Sequence, residues 1–403
     1  MSEREVNVGS GTGQRPSTSS GCLCGAEQYP STSSGCLSDA EQHSSTSSGC
    51  RRRVGLIFGG RSGEHEVSLR SAQSVLNALD PAKYAVTQMV ITQEGLWVSG
   101  EEWNAGKAKR EAASAASLPA SIGALLPLLG GLDVIFPVLH GSFGEDGALQ
   151  GLLEMADLPY VGCGVLGSAV GMDKGLFKDV MLANHIPVLE TLVVSRRQVE
   201  TQIETLLPRA EALAPYPLFV KPANLGSSVG ISKCRSRSDL VEGLLDAARY
   251  DRRILIERGL IAPREIEVSV LGNDDPVASI PGEVLPSREF YSYESKYVDG
   301  SSGLLIPAPL PAALAEQVQT FAVQAFKAID AAGLARVDFL LDKETGALYL
   351  NEVNTMPGFT EISMYPKLWA ASGLSYPALL DRLIELALER KADRDRTQRK
   401  YEV

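Results

Sequence analysis

The chain has 403 residues with 44% hydrophobic and 22% charged content, enough for two or three buried cores at ~100 to 200 residues per domain. Its 38 Lys plus Arg against 49 Asp plus Glu leave a net charge of -11. Such a surface repels a phosphate backbone unless cations concentrate, and only Arg51, Arg52 and Arg53 cluster, so no nucleic-acid partner is expected.

Up to Cys50 the sequence Ser-Thr-Ser-Ser-Gly-Cys recurs from Ser17, Ser31 and Ser45. Segment 1–50 has too little apolar surface to offset its ordering entropy and is expected to be disordered. Cys22, Cys24, Cys36 and Cys50 match no paired C-x-x-C spacing, and no histidine recurs with them, which argues against a metal site. Only Cys163 and Cys234 follow, so no disulfide framework is expected. The first fifty residues hold no apolar leader, and the cytoplasm is the expected compartment.

From Val54 the pattern alternates strand and helix, an α/β reading. Val54 to Phe58 reads as a buried strand. Ser68 then starts a helix whose Leu69, Ala72, Leu76 and Leu79 recur at helical spacing. Ile122 to Leu139, the most apolar stretch, is broken by Pro127, Gly130, Gly131, Asp133 and Pro137, so it reads as a helix end and a buried strand, and no membrane partner is expected. Further strands are expected at Pro159–Val161, Pro217–Lys221, Gly230–Cys234, Arg253–Glu257, Glu265–Leu271, Arg336–Leu341 and Ala347–Val353. Long helices are expected near Ala312–Ala331 and Tyr376–Glu389.

Five segments invite a chemical reading. Lys221-Pro-Ala-Asn-Leu-Gly226-Ser227-Ser228-Val-Gly230 offers a lysine and small residues whose N–H groups can close on phosphate oxygens; a plain hairpin turn is the other reading. It is not a Walker loop, because the lysine precedes the glycines. Gly162-Cys-Gly164-Val-Leu-Gly167 fits a dinucleotide fingerprint by count only, since Met172-Asp-Lys174 follows at once and Glu190 lies beyond a proline turn. In the strand pair around Lys343–Gly346, Glu352 and Asn354 share a face, and a loop of about five residues would set Asp338 opposite Glu352. With Leu340 and Leu350 as same-face neighbours, these oxygens suit Mg²⁺, a solvated polar strand pair being the alternative. Arg336 adds a cation on that face. Finally, Phe58 to Ser68 with Glu64, and His140 to Gly147, each follow an apolar strand, where ligands gather in open α/β sheets. By itself His140 reads more as a structural hydrogen-bond donor than as a catalytic base.

Taken together, the Glu64 turn, His140–Gly147, Met172-Asp-Lys174, Val220–Gly230, Glu265-Ile-Glu-Val, Tyr293-Glu-Ser-Lys-Tyr297, Arg336-Val-Asp338 and Asn351–Gly358 resemble the D-alanine:D-alanine ligases of the ATP-grasp superfamily from about Val54 to Leu388. The resemblance implies a three-domain ATP-grasp fold of α/β and α+β lobes: an N-terminal open α/β substrate domain at 51–162, a central lobe at 163–256 and a C-terminal catalytic lobe at 257–397. Lys174, Lys221, Gly226, Ser227, Ser228 and Lys296 would contact the nucleotide, Glu257 and Leu260 would bracket the adenine, and Glu265 would take the ribose hydroxyls. Asp338, Glu352 and Asn354 would hold two Mg²⁺, or Mn²⁺. Glu64 would fix the first D-alanine's ammonium with His140 nearby, Arg336 and Gly358 the acyl-phosphate oxygens, and Ser363 and Met364 the second substrate. Ser227 and Tyr297 would tie the closing loops to Glu64.

The implied reaction moves the ATP γ-phosphoryl group onto D-alanine, and a second D-alanine's amine attacks the acyl phosphate, making a dipeptide for peptidoglycan precursors. A homodimer is also implied. Relatives that use D-lactate or D-serine are the enzyme-class alternative, and a non-catalytic nucleotide-binding regulator is the alternative from another class. Segment 1–50 has no counterpart in the family.

Overall fold

The computed structural model describes residues 51–106, 117–226, 229–285 and 303–398. Segment 1–50 and, of the expected site residues, Ser227, Ser228, Lys296 and Tyr297 lie outside the described residues. Among the described residues the strands form three sheets.

The first stretch supplies β1 (Arg52–Gly59), α1 (His65–Ala78), β2 (Tyr84–Ile91), β3 (Trp97–Ser99), α2 (Gly100–Asn104), α3 (Ser117–Leu129), β4 (Val134–Val138) and α4 (Ala148–Met155). The sheet order is β3-β2-β1-β4, with β1 parallel to both β2 and β4. From Val54 onward β1 is buried and free of charged residues, as is all of β4, because both sheet faces are covered there. The chain leaves β1 toward β2 on one side and returns to β4 on the other. A crevice therefore opens beyond the carboxyl ends of β1 and β4, the switch point of such sheets.

Helix α1 begins at His65, one turn earlier than Ser68 suggested. The Ser68 hydroxyl is no N-cap: it accepts from the Gly59 N–H at 2.7 Å and donates to the Val138 carbonyl, tying the ends of β1 and β4 together. Gly59 itself has φ +93°, and a Cβ there would lie 2.2 Å from the Ile91 carbonyl oxygen, so no other residue fits the turn. Pro159–Val161 is not a strand; it reduces to one parallel bridge between Ile135 and Tyr160.

The middle stretch comprises α5 (Val165–Met172), α6 (Lys174–Ala183), β5 (Thr191–Ser195), α7 (Arg196–Thr201), α8 (Ile203–Glu211), β6 (Leu218–Pro222), β7 (Ser232–Cys234), α9 (Arg237–Tyr250) and β8 (Arg253–Arg258). Its antiparallel sheet runs β5-β8-β6-β7. Leu218 and Val220 of β6 and Ile254 and Ile256 of β8 pack with Leu240 and Leu244 of α9. Strand alternation sends Lys221 and Glu257 to the opposite face.

The last stretch holds β9 (Arg264–Gly272), β10 (Val277–Ala278), β11 (Gly282–Leu285), β12 (Gly303–Leu305), α10 (Ala312–Ala328), β13 (Gly333–Leu341), β14 (Leu348–Asn354), α11 (Met364–Ala371) and α12 (Tyr376–Asp395). Its sheet is ordered β12-β11-β9-β13-β14, with β10 on β9. One face packs Val337, Phe339, Leu341 and Val353 against α10 and against Val170, Phe177 and Met181 of α5 and α6. Leu379, Leu380 and Leu383 of α12 instead join Val54, Phe136 and Val138 in the core of the first sheet. The segment between β14 and α12 is thus drawn into the crevice, with Phe359 edge-on to Phe136 at 6.0 Å.

Candidate active site

Asp338 pairs with Glu352 and Arg336 with Asn354 across β13 and β14, as the motif required, but by another route. The turn is tighter than expected: Asp342 N–H bonds the Ala347 carbonyl at 2.9 Å, so the loop is 343–346. The register then shifts between Asp338 and Phe339, with Asn351 as the extra residue, and that bulge restores the Asp338–Glu352 pair. It also flips the parity of β14. Leu350, expected beside the carboxylates, instead pairs with Phe339 and is buried in the opposite face. On this strand pair Arg336, Asp338, Glu352 and Asn354 share the polar face, and β9 extends it with Glu267 opposite Asp338.

Arg336 is held by two carboxylates. It donates to both Asp338 oxygens at 2.7 and 2.6 Å and lies 3.0 Å from Glu267 on the neighbouring β9. Asn354 Nδ2 donates to Asp338 at 2.9 Å. Among the described residues no cluster of three or more His, Cys, Asp or Glu side chains could hold a metal. Two carboxylates and an amide oxygen on one face still match a cation that takes its other ligands from phosphate and water, as Mg²⁺ does.

Helix α6 supplies the facing cations. Asp173 caps it by accepting from the Gly175 and Leu176 N–H groups and pairs with Arg253 at 3.1 Å, which fixes the start of the helix. Lys174, at the first position, donates to the Leu225 carbonyl at 2.7 Å and lies 3.9 Å from Glu352. One turn on, Lys178 reaches Glu257 at 2.7 Å, and Lys221 reaches the other Glu257 oxygen at 2.8 Å. Burial alone would raise the Glu257 carboxyl, but Lys178 and Lys221 together hold it at about 2. Burial lowers the Lys178 ammonium against the pull of Glu257. Lys178 falls in none of the sequence motifs; its only sequence signal is the i, i+4 spacing from Lys174 on one helix face.

At the crevice, Glu64, His140, Lys174, Gly226, Arg336, Glu352, Asn354 and Gly358 line one cavity, together with Glu145 and Met356. The Glu64 carboxylate fits between two glycines: a Cβ on Gly141 would lie 2.7 Å from its Oε2, and one on Gly226 would lie 3.0 Å away. Glu145, not among the expected site residues, accepts from the Gly141 N–H at 2.8 Å and the Met356 N–H at 3.2 Å. Burial, then the Glu64 charge, pushes its carboxyl up to about 8 against those two donors. His140 is buried, which lowers its pKa; both ring nitrogens are engaged, Nδ1 with the Met356 carbonyl at 2.9 Å and Nε2 with Ser71 Oγ at 3.1 Å.

The other expected residues stand apart from this cavity. Asp338 adjoins it through Arg336 and Asn354. Lys221, Glu257 and Leu260 belong to the second sheet and the turn after it, and Glu265 sits on β9 opposite Leu340. Ser363 bonds the Thr360 hydroxyl at 2.7 Å, and the Met364 side chain packs with Val284 and Leu368.

Two family models match the chain: "D-ala D-ala ligase N-terminus" over residues 53–163 and "D-ala D-ala ligase C-terminus" over residues 180–385. A D-alanine--D-alanine ligase of Ruminiclostridium cellulolyticum is 50% identical over 373 residues, covering 87% of this chain and 98% of that protein. Among solved structures, the D-alanine-D-alanine ligase from Coxiella burnetii superposes with a TM-score of 0.70 at 36% identity, covering 86% of this chain and 96% of that one. The VanG D-Ala:D-Ser ligase from Enterococcus faecalis also gives 0.70, at 32% identity, covering 84% and 100%.

Proposed function

The chain belongs to the D-ala D-ala ligase family and has its ATP-grasp fold, and from that premise we propose that it joins two D-alanine molecules at the expense of ATP. The observation that carries this reading is the cavity onto which Glu64 after β1, Lys174 at the start of α6, Gly226 after β6, Arg336 of β13, Glu352 and Asn354 of β14, and Gly358 converge. We take the sheets to mark lobes at 51–162, 163–256 and 257–397, with α5 and α6 of the central segment packed into the core of the third.

In this reading Lys174 and Lys221 neutralise the nucleotide phosphates, and Glu257 and Leu260 flank the adenine, with Glu265 at the ribose. Asp338, Glu352 and Asn354 would hold Mg²⁺, which supplies charge neutralisation on the phosphates when bound. Asp338 would then be shared with Arg336. The first D-alanine is oriented by Glu64 at its ammonium. Its carboxylate attacks the γ-phosphorus of ATP, releasing ADP, and Arg336 with the Gly358 N–H stabilises the acyl-phosphate oxygens. Attack by the second D-alanine's amine forms the peptide bond and expels phosphate, the amine losing one proton. By sequence match Ser363 and Met364 would meet the second substrate's carboxylate. Ser227, Tyr297 and Lys296 complete the set by sequence match. A place in peptidoglycan precursor synthesis, a cytoplasmic location and a homodimeric state belong to the same proposal; among the described residues no helix is long and apolar enough to cross a membrane.

The test is stoichiometry. With D-alanine alone the purified chain should release one ADP and one phosphate per dipeptide formed, and should form none with L-alanine. ATP hydrolysis with no dipeptide would reject the reading.

A further inference from the structure

The segment that carries Gly358 is gripped from the first sheet's side by groups with no contact to it in sequence. His140 Nδ1 lies 2.9 Å from the Met356 carbonyl, and a carbonyl only accepts, so Nδ1 carries the ring proton. In the neutral ring Nε2 then accepts from the Ser71 hydroxyl at 3.1 Å. Ser71 Oγ in turn accepts from the Phe359 N–H at 3.3 Å. The chain of bonds therefore closes on itself: Met356 carbonyl, His140, Ser71, Phe359 N–H. Glu145 holds the remaining Met356 group, its N–H, while anchoring itself on the Gly141 N–H. Tyr376 donates to the Phe359 carbonyl at 2.7 Å. The backbone N–H and carbonyl of Met356 and of Phe359, the residues on either side of Pro357–Gly358, are thus all engaged, and Pro357 has no N–H to offer. Gly358 lines the cavity between them.

We propose that Ser71 and Glu145, with His140 as the link, are positioning residues that set the Gly358 N–H at the reacting acyl-phosphate oxygens. The proposal rests on the ligase reading above. Ser71 is fully buried and does not line the cavity, so it acts only through His140 and Phe359. Glu145 reaches the cavity wall, but its two oxygens are taken up by backbone donors. A displaced donor weakens binding of the transition state more than binding of ATP, because the nucleotide is held by lysines on α6 and β6.

The test compares Ser71→Ala and Glu145→Gln with wild type by turnover, ATP dissociation constant and melting temperature. Ser71→Ala removes the link between His140 and Phe359 with little change in volume. Glu145→Gln keeps size but can accept only one of the two N–H groups, since its amide nitrogen is a donor. For each folded variant kcat should fall about ten- to hundredfold, with the ATP dissociation constant within about threefold of wild type. If Ser71→Ala keeps kcat within about threefold, the clamp does not position Gly358. If kcat and ATP affinity fall together, its role is structural and the proposal also fails. An inactive wild type overturns the ligase reading and this role with it, whereas an active wild type with unimpaired variants overturns the clamp alone.

Discussion

Lys178 Nζ and Glu257 Oε2 lie 2.7 Å apart with side chains only 3% and 2% exposed, a buried ion pair between α6 and β8. Replacing Lys178 with Met leaves Glu257 with Lys221 alone and should cost about 3 kcal/mol of stability. The sign with pH follows from the depressed Glu257 carboxyl at about 2. A carboxylate held below its unfolded value of ~4.3 stabilises fully above that value and loses its contribution as pH falls through the folded one. The deficit of Lys178→Met, measured by urea denaturation, should be largest at neutral pH and should shrink below about pH 4 toward pH 2. A deficit constant across that range would show that packing, not charge, is what Lys178 contributes.

The glycines beside Glu64 give a steric prediction. A methyl group at Gly226 would sit 3.0 Å from Glu64 Oε2, and at Gly141 only 2.7 Å away on a backbone with φ +75°. Gly226→Ala should raise the KM for D-alanine several-fold with folding intact. Gly141→Ala should be worse, adding about 1 kcal/mol or more of backbone strain. Equal and wild-type-like kinetics for both would mean that Glu64 does not orient the substrate ammonium.

Glu352 faces Asp338 on the bulged strand pair. In Glu352→Gln one charge is lost while shape is kept, so turnover should drop at least about a hundredfold with thermal stability nearly unchanged. Raising Mg²⁺ should recover part of the loss. Near-normal turnover at low Mg²⁺ would place the metal ligands elsewhere.

The family models begin at residue 53, and segment 1–50 carries the Ser/Gly-rich repeat. A chain starting at Arg51 should keep wild-type kcat, KM and melting temperature. Loss of folding or turnover on truncation would assign the repeat a role its composition does not suggest.

The strands that carry chemistry were legible from apolar alternation, and so was the meeting of Arg336, Asp338, Glu352 and Asn354. The bulge at Asn351 was not, because one extra residue in β14 and one fewer in the loop cancel at Asp338 and leave no trace in motif spacing. Ser68 misled for a related reason: its hydroxyl serves strand ends far along the chain instead of the helix end beside it. Lys178 and Glu145 were missed because their partners, Glu257 and Met356, come together only through tertiary packing. A lysine on a helix and a glutamate in a glycine-rich loop otherwise read as solvated charges.

The central claim is that the second substrate is D-alanine, and the likeness to a D-Ala:D-Ser ligase makes competition the sharpest test. Wild-type enzyme with ATP, Mg²⁺ and equal D-alanine, D-serine and D-lactate at neutral pH should give D-alanyl-D-alanine as the dominant product by mass spectrometry. A mixture dominated by D-alanyl-D-serine or D-alanyl-D-lactate would contradict the account.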